Sequence, residues 1–267
     1  MKVKEILSAL EEFAPLALQD GYDNAGLQIG LAKDADATGA LLCLDVTEEV
    51  VDEAIRQGCN LIISHHPLLF HPIKTISGDD SNGRVIIKAI KKGIAVYAAH
   101  TNLDVAYGGV NYKIAEKLGL QNVEWLSMRG TYESNGQTLT SGDGLIGTLQ
   151  TPVDAKDFME VVKETFAIRS LRVNTVGHKT ISRVALCGGA GSSLIPVAAA
   201  KGADAFLTGE IGYHRFFGYD DKMLLVEMGH YESEQYTLEL FNEIISRVAP
   251  TLPVISTEVK TNPINCL

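Results

Sequence analysis

Two histidines, His65 and His66, stand side by side directly after the apolar run Asn60-Leu61-Ile62-Ile63-Ser64 and directly before Pro67. An aliphatic, β-branched run of this length reads as a buried strand, and proline, which has no N–H, ends the ladder. The strand therefore delivers two imidazoles at its end, where open α/β sheets place their ligands. Successive strand residues face opposite ways, so both rings serve one site only if the chain bends there. Imidazole is the commonest side-chain metal ligand; a pair of loop histidines without that role is the alternative at this point.

Three more clusters follow strand-like runs. His100-Thr101-Asn102-Leu103-Asp104 comes after Ile94–Ala99. Thr208-Gly209-Glu210-Ile211-Gly212-Tyr213-His214 contains Glu210 and His214 four residues apart. Met228-Gly229-His230-Tyr231-Glu232-Ser233-Glu234 sets His230 and Glu234 at the i,i+4 spacing that lets two helical side chains face one point. Each cluster alone reads as readily as a turn, a cap or a surface pair. Together they place five of the seven histidines at strand ends beside acidic residues, and only His71 and His178 lie elsewhere. Metal chemistry accounts for that placement better than chance. Histidine with carboxylate and no cysteine suits zinc, iron or manganese rather than an all-oxygen calcium or magnesium cage. Five or more donors exceed one tetrahedral catalytic site and favour two divalent ions about 3.5–4 Å apart. His100 and His214 are candidate proton carriers, because imidazole titrates near neutral pH.

The elements that must position these residues alternate between strand and helix patterns along the whole chain, which predicts an α/β fold with largely parallel sheets. Helices are expected near Val3–Phe13, from a Thr47 cap to about Gln57, over Arg84–Lys92, Val110–Leu118 and Asp154–Phe166, and from about Ser233 to Val248. Strands are expected at Ala40–Asp45, Leu145–Leu149, Val184–Cys187, Ala205–Thr208 and Met223–Glu227 besides those already named. Ser127–Asp143 is polar and non-periodic, which predicts a junction or flexible loop. The expected lobes are 1–126, with the first two clusters, and 127–267, with the other two. Gly188-Gly189-Ala190-Gly191-Ser192-Ser193 joins a strand to a helix, where its amides could bind a phosphate or carboxylate, but it lacks a P-loop lysine and reads as a tight turn. Asp23 and Asn24 read as turn formers holding a loop against the site.

Composition narrows the class. Of 267 residues, 46% are hydrophobic and 21% charged, an ordinary globular mixture. A formal net charge of −10 argues against general nucleic-acid or anionic-membrane binding. The four cysteines (Cys43, Cys59, Cys187, Cys266) show no CxxC spacing, and Cys43 and Cys59, in or near apolar runs, read as buried thiols rather than disulfides or a zinc ribbon. The N-terminal Met1–Phe13 has helical rather than signal-peptide character, and no 18-residue apolar span occurs, so the expected compartment is the cytoplasm.

The segment Gly21-Tyr22-Asp23-Asn24-Ala25-Gly26-Leu27-Gln28-Ile29-Gly30 resembles the DNxGLQxG signature of the Nif-three-like dinuclear metal-centre family, whose members are often labelled GTP cyclohydrolase 1 type 2. SHHP at Ser64–Pro67, HTNLD at His100–Asp104, TGE with a following histidine at Thr208–His214, GHxxxE at Gly229–Glu234 and Thr261-Asn262-Pro263-Ile264 match that family in order. The resemblance spans essentially the whole chain. It implies metal ligands His65, His66, Asp104, His230 and Glu234, with His100, Glu210 and His214 lining the same cleft as catalytic candidates. It also implies two α/β lobes with the dimetal cleft between them and a toroidal homohexamer. The function it implies is hydrolysis of a small nucleotide-like or heterocyclic substrate by metal-activated water; the family's cyclohydrolase label would have water attack C8 of a guanine ring with loss of formate. The alternative is a non-catalytic metal-binding regulatory or metal-handling scaffold.

Overall fold

The computed structural model describes residues 1–32, 34–174 and 179–265; His178 and Cys266 lie outside them. The chain opens with α1 (Val3–Phe13), β1 (Gly26–Ile29), β2 (Ala40–Cys43), α2 (Glu48–Arg56), β3 (Leu61–Ser64), α3 (Ser81–Lys92), β4 (Ala95–Ala98) and α4 (Thr101–Asp104). It continues through α5 (Val110–Lys117), β5 (Gln121–Ser134), β6 (Gln137–Asp154), α6 (Ala155–Phe166), β7 (Arg172–Val173) and β8 (Thr180–Cys187). Then follow α7 (Ile195–Ala200), β9 (Ala205–Thr208), β10 (Leu224–Glu227), α8 (His230–Glu234), α9 (Thr237–Val248) and β11 (Val254–Ser256). The fold is mixed α/β with two mixed sheets.

The chain groups into two compact units, one of Met1–Leu103, Glu133–Gln137 and Thr237–Pro263, the other of Asp104–Tyr132, Thr138–Tyr236 and Ile264–Leu267. In the first unit the sheet order is β1-β4-β3-β2-β11, with β4, β3, β2 and β11 parallel and β1 antiparallel at one edge. Every residue of β2, β3 and β4 is buried, which is why these strands read as continuous apolar runs rather than alternating ones. Leu41, Ile62 and Val96 pack on Val50, Val51, Val85 and Ile86 of α2 and α3. Thr47 caps α2 by accepting from the Val50 amide, and Asp80 caps α3 by accepting from Gly83. The C-terminal segment joins this unit, beyond a division at 126/127, because β11 extends the sheet at β2 and α9 packs on α1. Buried Glu53 fixes its course by accepting from the Thr257 hydroxyl and, at 3.0 Å, from the Glu258 amide.

In the second unit the order is β5-β6-β8-β9-β10-β7, with β8, β9 and β10 parallel. Ala185, Phe206 and Leu225 form a core with Ile195 and Ala198 of α7. Two expectations about individual elements fail. Ser127–Asp143 is no loop but the heart of the β5–β6 hairpin, turned by Asn135 and Gly136 at φ 50° and 70°. Asn-Gly with both φ positive suits the tight turn whose twist matches flanking strands, and the polar faces of an exposed ribbon hid the strand pattern. The helix expected from about Ser233 to Val248 is two helices. Their break at Gln235 and Tyr236 is anchored to α6, where the Gln235 amide donates to Phe166 O at 2.8 Å and the Tyr236 hydroxyl to Thr165 O.

Candidate metal centre

Parallel register sets the first site. Cys43 pairs with Ser64 and Ser64 with Ala98, so Asp45, His65, His66 and His100 all leave the sheet at the same C-terminal edge. The strand stops at Ser64, whose hydroxyl donates to the carbonyl of His66 at 2.8 Å. That is the bend the paired histidines require: their ring centroids lie 4.9 Å apart instead of on opposite faces. His100 joins them, 5.3 Å from His65 and 5.6 Å from His66. One ring nitrogen from each of the three lies within 4.8 Å of the others.

Each imidazole is held from behind. His65, fully buried, donates from Nδ1 to the Ala99 carbonyl at 2.8 Å. His66 donates from Nδ1 to Asp45 at 2.7 Å, and the other Asp45 oxygen accepts from the Thr261 hydroxyl at 2.9 Å. His100 donates from Nδ1 to Asp23 at 2.8 Å, while Asp23 also accepts from the amide and hydroxyl of Thr101. A carbonyl or carboxylate partner assigns the proton to Nδ1, so the lone pair of each ring sits on Nε2. Burial raises the Asp45 carboxyl, but the hydrogen bonds from His66 and Thr261 outweigh it and hold the group below the ordinary carboxylate range. Asp23 follows the same pattern: burial opposes ionisation, His100 and Thr101 win, and its pKa falls to about 2.

The second unit repeats the plan with different atoms. Cys187, Thr208 and Glu227 are in register, so Gly188–Gly191, Glu210 and His230 emerge from one sheet edge. His230 donates from Nδ1 to Glu210 at 2.7 Å and sets Nε2 3.2 Å from Glu234. The i,i+4 pair thus meets at one point. Carboxylate oxygens of Asp104 and Glu234 lie within 4.8 Å of one another. Glu234 is buried, 3% exposed, under the glycine turn: a Cβ on Gly189 would stand 2.4 Å from its Oε1, and Gly189 has φ +59°. The turn's amides are spent inside the unit, on Asn111, Ser233 and Thr208, which supports a tight turn over an anion cradle.

Glu210 pairs with His230 rather than with His214. His214 lies on an exposed 3-10 turn (Tyr213–Phe216) beside the rings of Tyr213 and Phe217, and it belongs to no cluster of three potential ligands among the described residues. Cys43, Cys59 and Cys187 are free thiols. The sequence pattern does not mark Asp45, names Thr261 only within a family motif and without a role, and shows Asp23 only as a turn former. Asn24 does hold a loop, donating to Leu69 O at 2.7 Å while Gln28 accepts from Leu69 N at 3.0 Å.

A family model described as Duf34/NIF3 (NGG1p interacting factor 3) matches residues 1–263. The chain belongs to this family. It is 34% identical to a GTP cyclohydrolase 1 type 2 homolog of Clostridium acetobutylicum, over 88% of this chain and 85% of that one. It is also 34% identical to one of Streptococcus pneumoniae over 98% of each. Among solved structures, a Bacillus cereus protein related to NIF3 superposes with TM-score 0.88 at 30% identity, covering 100% of this chain and 99% of that one. Reduced HcgD from Methanocaldococcus jannaschii gives 0.78 at 29%, covering 97% and 98%. As a DUF34/NIF3 chain, this protein carries His/Glu groups able to hold a metal ion. No helix among the described residues is long and apolar enough to cross a membrane.

Proposed function

We propose that this chain is a metal-dependent hydrolase that binds two divalent transition metal ions, zinc, iron or manganese, and acts on a small nucleotide-like or heterocyclic substrate. The carrying observation is that three imidazoles have Nδ1 tied to oxygen and their remaining nitrogens gathered, the donor set a transition metal takes. His65 and His66 supply nitrogen ligands; Asp104, His230 and Glu234 supply the second set. Bound divalent ions lower the pKa of water and polarise an oxygen of the substrate. Asp45 fixes the tautomer of His66, and Glu210 does the same for His230 as a positioning carboxylate. His100, held at Nδ1 by Asp23, takes or gives a proton at Nε2. The corresponding assembly is a cytoplasmic homohexamer.

Metal analysis of tag-free protein tests this directly. About two transition metal ions per chain are expected, falling by at least one in His65→Ala and in Glu234→Ala. Less than one ion per chain, with none taken up on incubation, contradicts it. Turnover of a nucleotide or heterocycle that Asp104→Ala abolishes supports the enzyme; metal binding without any such turnover favours the scaffold.

A further inference from the structure

A cavity of about 370 Å³ opens beside His66 within the first unit. Small-molecule sites span about 300–1,000 Å³, so this one takes a single ring system rather than a polymer or a dinucleotide. Its walls are unlike a phosphate site. Among the described residues no lysine or arginine lines it, and the carboxylate in its lining is Asp45. Asn82 lines it from the first turn of α3, but that helix end is already answered by the Asp80 carboxylate on Gly83 N at 2.8 Å. A phosphate placed there would meet the Asp45 carboxylate and, among the described lining residues, no lysine or arginine.

The same walls suit a flat heteroaromatic ring. Phe70 and His71 present rings whose centroids are 4.9 Å apart at 66°, with Ile73 as apolar cover. Phe70 is held in place: Asn24 and Gln28 clamp the adjoining Leu69 backbone, and its ring meets His100 edge-on at 6.0 Å. A stacking surface fixed before binding loses little entropy on capture. The Asn82 carboxamide, with one acceptor and two donors, matches the amide-like edge of a nucleobase.

We propose that this cavity seats the uncharged base of a nucleoside-type ligand and discriminates against the corresponding triphosphate. The proposal deepens the hydrolase reading by naming the substrate class and rests on it only for the ring's use, not for its binding.

Calorimetry on the full chain as purified, with guanosine, adenosine and cytidine and their 5′-triphosphates, tests it. At least one nucleoside is expected to bind, with its triphosphate at least tenfold weaker. Phe70→Ala and Asn82→Ala should each weaken that nucleoside at least tenfold while leaving metal content unchanged. If Phe70→Ala fails to fold, Asn82→Ala decides, since its side chain is exposed. Binding of no nucleoside, a triphosphate equal to or tighter than its nucleoside, or indifference to the folded variants overturns the proposal. Nucleoside binding in protein that takes up no metal would remove the hydrolase reading and leave the cavity's role standing; metal binding without nucleoside binding would do the reverse.

Discussion

The two clusters sit at equivalent places, the C-terminal edges of parallel strands, yet they are made of different atoms. In the first unit three rings each lean on an oxygen and offer nitrogen. In the second one ring stands between two carboxylates, Glu210 at Nδ1 and Glu234 at Nε2, and Asp104 adds a third acid. The nitrogen-rich cluster depends on partners that orient neutral imidazoles. The oxygen-rich cluster depends on glycine, because buried Glu234 fits only where Gly189 leaves room for its carboxylate. One unit gains its donors by hydrogen bonding and the other by the absence of a side chain.

The largest effect should therefore come from a single methyl group. Gly189→Ala puts a Cβ 2.4 Å from Glu234 Oε1 at φ +59°. It should weaken metal binding on the order of a hundredfold, with about 1 kcal/mol of lost stability from the backbone. Unchanged metal affinity by titration would mean that Glu234 is no ligand. In the first unit Asp45→Ala should cost roughly tenfold to hundredfold in affinity, and Thr261→Val, one bond further out, only a few-fold. Equal effects would break the orientation argument for that cluster.

Asp23 carries a pH signature. Its folded pKa of about 2 lies below the ordinary 3.8, so its contribution to stability is fully present above 3.8 and is lost as pH falls through about 2. Denaturant melts of Asp23→Asn should show a loss of about 2 kcal/mol near neutrality that shrinks across that window. A difference independent of pH would mean that Asp23 gains no stability from ionising beside His100 and Thr101. The smallest effect belongs to His214→Ala, which should leave metal content unchanged; a loss of metal would place His214 among the ligands.

The histidines could be read from the chain because fully buried parallel strands are continuous apolar runs, and such a run ending in His-His-Pro is visible on its own. Helix α1 was legible for the related reason that its apolar residues recur at helical spacing. The partners were not legible. Asp45 reaches His66 only through the β2–β3 register, and Thr261 reaches Asp45 only because the C-terminal strand joins that sheet. Asp23 lies 77 residues from His100 in sequence. Long-range pairing of this kind leaves no local pattern. The β5–β6 hairpin did leave one, in Asn135-Gly136, but strands with polar outer faces resemble loops when composition is weighed before turn chemistry.

The central claim is that the oriented imidazoles and carboxylates of the two clusters are transition-metal ligands, and anomalous diffraction at the metal edge from crystals grown with zinc or manganese tests it most directly. The account predicts two peaks per chain, with nitrogen ligands from His65 and His66 and further ligands from Asp104, His230 and Glu234. No peak beside these residues, or peaks held by other side chains, would contradict it.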